Sequence, residues 1–122
     1  MDIDVIKVRD ADSAEERIVL YVNQDCNLSW FIVVVSLSME RNLQFNKERF
    51  FMILPSLDVK KGDYIWLYSK KGEYESFPNK SSSTTHVLYW NLDHSFLNGQ
   101  KSIYLFHFDQ WTSKNIEIIE GL

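Results

Sequence analysis

The chain has 122 residues, the length of one domain with its own core, so positions 1–122 are read as a single unit. It is 45% hydrophobic and 15% aromatic with only four glycines and two prolines, which excludes a linker or a low-complexity chain. A formal net charge of −4 argues against generic nucleic-acid binding, because phosphate affinity comes from clustered Lys and Arg.

Apolar residues recur mostly with a period of two, which predicts strands. Ile3 and Val5, followed by residues 6–8, begin the first strand, and 10–15 is a polar turn. Residues 17–22, rich in β-branched and aromatic side chains, predict the second strand. Asn23-Gln24-Asp25 breaks it, and a third strand spans 27–35. Within that strand, Trp30 to Val35 is apolar without alternation, as expected of a strand covered on both sides. Residues 39–46 read as a loop, and 50–54 as a strand stopped by Pro55. Lys60-Lys61-Gly62-Asp63 is a turn that launches a strand at 64–68. Residues 69–85 are the longest irregular stretch, and loops beyond ~12–15 residues are uncommon. Tyr74 and Phe77 give that stretch rings with which to pack back over a sheet. Strands at 87–90 and 103–108 follow, the second after an Asn98-Gly99 hairpin turn, and 116–119 predicts a last strand. No stretch sustains a helical stripe. Eight or nine short strands predict an all-β fold, an antiparallel sandwich or barrel.

Two of these strands are apolar on both faces. Ile65, Leu67, Ile103 and Leu105 form an aliphatic face, and Tyr64, Trp66, Tyr68, Tyr104, Phe106 and Phe108 form an aromatic one. A small sandwich normally turns one face of each sheet to water. The aromatic side therefore needs a cover, either residues 69–85 or another molecule, and these six aromatics are the candidate partner-binding residues.

Lys61-Gly62-Asp63 with Tyr64-Ile65-Trp66-Leu67-Tyr68 resembles the strand that follows a Gly-Asp turn in the lamin tail domain. Leu88-Tyr89-Trp90, Leu97-Asn98-Gly99 and Ser102-Ile103-Tyr104-Leu105-Phe106 resemble that family's Trp-containing strand, Asn turn and following strand. Asn27-Leu28-Ser29 before Trp30 resembles an earlier strand, whereas Lys101-Ser102 departs from the Gly-Asp often found at the second turn. The resemblance implies an immunoglobulin-like β-sandwich and a non-catalytic module.

Catalytic and metal chemistry has little support in the sequence. Asp93-His94 and His107-Phe108-Asp109 offer metal-ligand types, but no compact motif of three or four ligands exists, so no metal or cofactor is expected. Asp10, Asp12 and Asp25 are too few oxygens for calcium. Cys26, the single cysteine, has no local motif of a nucleophile and reads as a buried structural thiol. Glu15-Glu16 and the Glu73/Glu75 pair read as solvated turn residues. The acidic start Met1-Asp2-Ile3-Asp4 lacks the basic and apolar parts of a secretory signal, and no run is long enough to cross a membrane, so the expectation is a reducing cytoplasm.

The leading functional expectation is thus a non-enzymatic interaction module binding a protein partner, with self-association (a homodimer) through the aromatic face as one form of it. The alternative is a carbohydrate-binding module stacking sugars on Trp66 or Trp111. A nucleic-acid role for Lys60, Lys61, Lys70, Lys71 and Lys80 is opposed by the four acids among residues 58–80.

Overall fold

A computed structural model describes residues 1–36, 49–97 and 102–115. The expected loop at 39–46, the Asn98-Gly99 turn and the strand at 116–119 lie outside the described residues. The strands are β1 (Ile3–Arg9), β2 (Arg17–Val22), β3 (Cys26–Asn27), β4 (Phe31–Ser36) and β5 (Arg49–Ile53), then β6 (Asp58–Val59), β7 (Tyr64–Tyr68), β8 (Glu75–Pro78), β9 (Thr84–Tyr89) and β10 (Ser102–His107). They form a five-stranded sheet in the order β1-β2-β7-β9-β8, a three-stranded sheet β10-β4-β5, and a short β3-β6 pair. The fold is all-β, in sandwich form.

Alternation builds the core. Ile18, Leu20 and Val22 of β2, Ile65 and Leu67 of β7 and Leu88 of β9 point inward from the larger sheet. They meet Phe31, Val33 and Val35 of β4, with Ile103 and Leu105 of β10 packed against the same cluster. Each fully buried aliphatic or aromatic side chain stabilises the fold by roughly 1.5–3 kcal/mol. The aliphatic face expected of residues 65, 67, 103 and 105 is therefore the interior, contributed by both layers.

Three elements differ from the sequence expectation. The strand at 27–35 is interrupted, because the Asn27 side chain accepts the Ser29 N–H at 2.9 Å and caps a 3-10 turn over Leu28–Trp30. An Asn that bonds its own neighbouring backbone competes with the ladder. The stretch 69–85 contains β8, which pairs with β9 in an antiparallel hairpin. All four β8 residues are exposed, so no apolar alternation marks the strand. Finally, β7 and β9 run parallel, the exception among otherwise antiparallel pairings. The connection after β7 is long enough for the chain to pass the β9 position, form β8 and return between them.

Candidate functional site

The six aromatics expected on one surface do not share one. Tyr64, Trp66 and Tyr68 look outward from the five-stranded sheet, whereas Tyr104 and Phe106 look outward from the three-stranded sheet. The shared core lies between the two layers, so these surfaces face away from each other. Phe108 lies just past β10 and packs edge-on against Trp30 at 5.9 Å.

The outer face of the larger sheet covers itself. Arg17 lies over Trp66 at 4.8 Å and over Tyr68 at 5.4 Å, and Lys70 lies over Tyr68 at 4.8 Å. Phe77 of β8 meets Trp66 edge-on at 5.4 Å, Tyr68 stacks on Tyr89 at 5.5 Å and Tyr21 meets Tyr64 at 5.2 Å. Val19, Thr85 and Val87 also point outward in register with these rings, yet all three are buried. The stretch 69–85 does not lie over Tyr104 and Phe106 among the described residues; it extends the larger sheet as β8, from which Phe77 reaches the Trp66 ring.

The outer face of the smaller sheet is the more exposed of the two among the described residues, with Ile32, Val34 and Tyr104 half-buried on it. Its register places Phe106, Ile32 and Ile53 in one row and Tyr104, Val34 and Phe51 in the next. Phe51 is 69% exposed, Ile53 62% and Phe106 48%, and the grid carries no charge. One end opens into an apolar groove of about 810 Å³ lined by Ile32, Ile53, Phe106, Phe108 and Trp111, of which Trp111 is 60% exposed. Sequence reasoning missed Phe51 and Ile53. The available signal was the same two-faced pattern in residues 50–54, where Phe50 and Met52 alternate with them and pack on the core.

Two buried polar clusters lie elsewhere. Glu16, expected in a solvated turn, is wholly buried. Its carboxyl oxygens accept from the N–H groups of Asp12 at 2.9 Å, Phe96 at 2.8 Å and Leu97 at 3.1 Å, and from the Ser69 hydroxyl. These donors tie the β1–β2 turn to segments more than fifty residues away. Asp63 accepts the N–H groups of Lys60 and Thr84, both at 3.0 Å, and its Oδ2 lies 3.0 Å from His86 Nε2. Burial pushes the Asp63 carboxyl up, but the Lys60 N–H, the His86 ring and the Thr84 N–H outweigh it and hold its pKa below the usual aspartate value. With Nε2 donating to Asp63, a neutral His86 ring accepts the Tyr74 hydroxyl proton at Nδ1, where the distance is 2.9 Å.

The remaining candidates are placed as follows. His94 packs against Phe50, and His107 stacks on Phe31 at 4.7 Å. Cys26 is half-buried against the core, and burial, then Asp2 and Asp25, push its thiol up to about 11, away from nucleophilic reactivity. Asp10 engages Arg17 at 3.1 Å, and Asp25 accepts the Lys61 N–H at 2.8 Å. Lys60, Lys70 and Lys71 pair with Asp25, Glu15 and Asp93, so the lysine-rich stretch is largely neutralised. No helix among the described residues is long and apolar enough to cross a membrane. Comparison with protein-family models, with curated proteins and with solved structures gives no match.

Proposed function

We propose that this chain is a non-catalytic interaction module that pairs with a second copy of itself through the outer face of the three-stranded sheet. The observation that carries this reading is the uncharged grid of Ile32, Val34, Phe51, Ile53, Tyr104 and Phe106. At ~150–250 Å² per aromatic side chain, the exposed parts of Phe51, Ile53, Phe106 and Trp111 add up to roughly 400–500 Å². That matches the largest apolar patch of an ordinary monomer and is about half of the ~800 Å² each partner contributes to a standard interface. The next row in register is polar, with Ser102, Ser36 and Arg49 opposite one another. An apolar grid laid on its own two-fold copy meets only apolar groups, so no buried charge opposes the pairing.

The sandwich is read as immunoglobulin-like, akin to the lamin tail domain. The supports are the Gly62-Asp63 turn that launches β7 and the two packed layers. Gly62 takes φ +94°, a conformation that L side chains rarely adopt. The parallel β7–β9 pair is its departure from an all-antiparallel plan.

Sedimentation equilibrium across a wide concentration range tests the pairing. The wild type is expected to dimerise, and Phe51→Ser combined with Phe106→Ser is expected to weaken the dimer about a hundredfold, as for two interface anchors. A wild type that stays monomeric at millimolar concentration would overturn the reading. The carbohydrate-binding alternative keeps one support, the exposed Trp111 beside an open groove, whereas Trp66 is already occupied by Arg17 and Phe77. A monomeric wild type with glycan-array binding that disappears in Trp111→Ala would favour it.

A further inference from the structure

On the opposite side of the molecule, the outer face of the five-stranded sheet carries an open groove of about 470 Å³. Lys7, Arg9, Arg17 and Lys80 line it, and no carboxylate does. In a chain of net charge −4, with seven acids against three bases in residues 1–25, this concentration of positive charge is made by the fold. The device is a β-bulge. Val5 pairs with Leu20, but Lys7 pairs with Val19, so Ile6 is an extra residue in β1. Strict alternation from Ile3 and Val5 would aim Lys7 and Arg9 at the core. The inserted residue turns both onto the outer face beside Arg17, the kind of re-aiming for which bulges are used.

The arrangement has an electrostatic cost. Arg9 stands directly opposite Arg17 across the ladder, and like charges so placed repel. Arg17 is partly answered by Asp10 at 3.1 Å and by the Glu15 carbonyl at 3.0 Å. Its Nε is buried without a hydrogen-bond partner among the described residues. Lys7, Arg9 and Lys80 have no ion pair among the described residues. Lys80 is brought in by the turn after β8, in which Asn79 Oδ1 accepts the N–H of Ser81 at 3.0 Å and of Ser83 at 3.2 Å.

We propose that this groove binds a ligand bearing two or more phosphate groups. Arginine's planar fork matches phosphate oxygens, and the lysines add point charges around it. Several cations spread along one groove suit a chain of anions better than a single carboxylate. The Trp66 face is already occupied by Arg17 and its flank by Phe77, so the phosphates are the recognised part and no ring stacks there. A polyphosphate tail and a nucleic-acid backbone share this chemistry.

Isothermal titration of the full chain with tripolyphosphate tests the proposal. Binding is expected at low ionic strength and is expected to weaken as salt rises. Lys7→Glu combined with Arg9→Glu is expected to lower affinity about a hundredfold, roughly tenfold for each charge-assisted hydrogen bond removed. Lys60→Glu combined with Lys71→Glu makes the same change in net charge outside the groove and is expected to leave affinity within about twofold. Lys80→Glu is a further single test should the Lys7/Arg9 variant melt early. Absence of tripolyphosphate binding at low salt, or equal loss in both double variants, would overturn the proposal. A single-stranded oligonucleotide held more tightly than tripolyphosphate would identify a polymeric source, and weaker retention a small polyphosphate.

Discussion

The two outward faces of this sandwich are both rich in rings, yet among the described residues the rings of the three-stranded sheet are the more exposed. On the five-stranded sheet, Trp66, Tyr68 and Tyr64 each meet a cation or a neighbouring ring, and the smaller side chains between them are buried. On the three-stranded sheet, Phe106 meets the Tyr104 ring at 6.3 Å, yet Phe51, Ile53 and Phe106 stay exposed among the described residues. The difference lies in supply. The larger sheet has Arg17 and Lys70, whose charged ends lie over its rings, and it has β8 as an added edge. Aromatic content in a strand therefore does not by itself make a docking face. A docking face needs rings whose neighbours are too short, or too apolar, to lie over them.

The comparison breaks most completely at Glu16. It holds the turn that precedes Arg17, and it answers three buried donors and one half-buried donor, drawn from three parts of the chain. Glu16→Ala leaves those donors unpaired and is expected to cost roughly 3–5 kcal/mol. Chemical denaturation measures the loss. Binding of a hydrophobic dye below the unfolding transition should rise, because the cover over Trp66 loosens with the turn.

Acid titration acts next, at Asp63 in the turn that launches β7. A carboxyl whose pKa is lower in the folded than in the unfolded chain stabilises the fold fully above its unfolded value, near ~3.9 for aspartate. That contribution drains as the pH falls through the folded value. The Asp63 share of stability is thus present at neutral pH and lost in acid. Asp63→Asn is expected to flatten the acid limb of a stability-versus-pH curve. A limb of unchanged slope would remove Asp63 as its cause.

Much of this contrast was legible in the sequence, and the misses share a cause. Residues 17–22 and 64–68 are strands at their expected bounds, because alternation between two faces is a local property. Glu16 looked solvated because it follows another glutamate. Its burial depends on Ser69, Phe96 and Leu97, and nothing near residue 16 announces them. Three of the groove's four cations, Lys7, Arg9 and Arg17, were hidden in the most acidic part of the chain, and Lys7 and Arg9 join Arg17 only through the bulge at Ile6. Of the lysines that did cluster in sequence, Lys60, Lys70 and Lys71 are paired with carboxylates. Local periodicity reports strands and faces, whereas charge neighbourhoods are set by pairing across the sheet.

Arg17→Ala sharpens the comparison by converting one face toward the other. It removes a cation from over two rings. The expected cost is about 1–2 kcal/mol. Trp66 fluorescence should shift to the red and become more accessible to iodide, with Trp66→Phe identifying its share of the signal.

The smallest effect on stability is expected from the residue with the largest expected effect on assembly. Phe106 projects from β10 beside Ile32, with nearly half of its surface in water. Phe106→Ser in the monomer forfeits little burial, and exposed substitutions usually stay within about 0.5 kcal/mol. In the proposed dimer the same ring is expected to anchor each copy, so one substitution would remove two rings. Thermal melts at low concentration should therefore superimpose on the wild type, while the dimerisation constant falls. Trp66→Ser behaves in the opposite way, lowering monomer stability and leaving association unchanged, because its ring is already engaged within its own sheet. If both substitutions moved stability and association together, the two faces would not differ in the way their burial indicates.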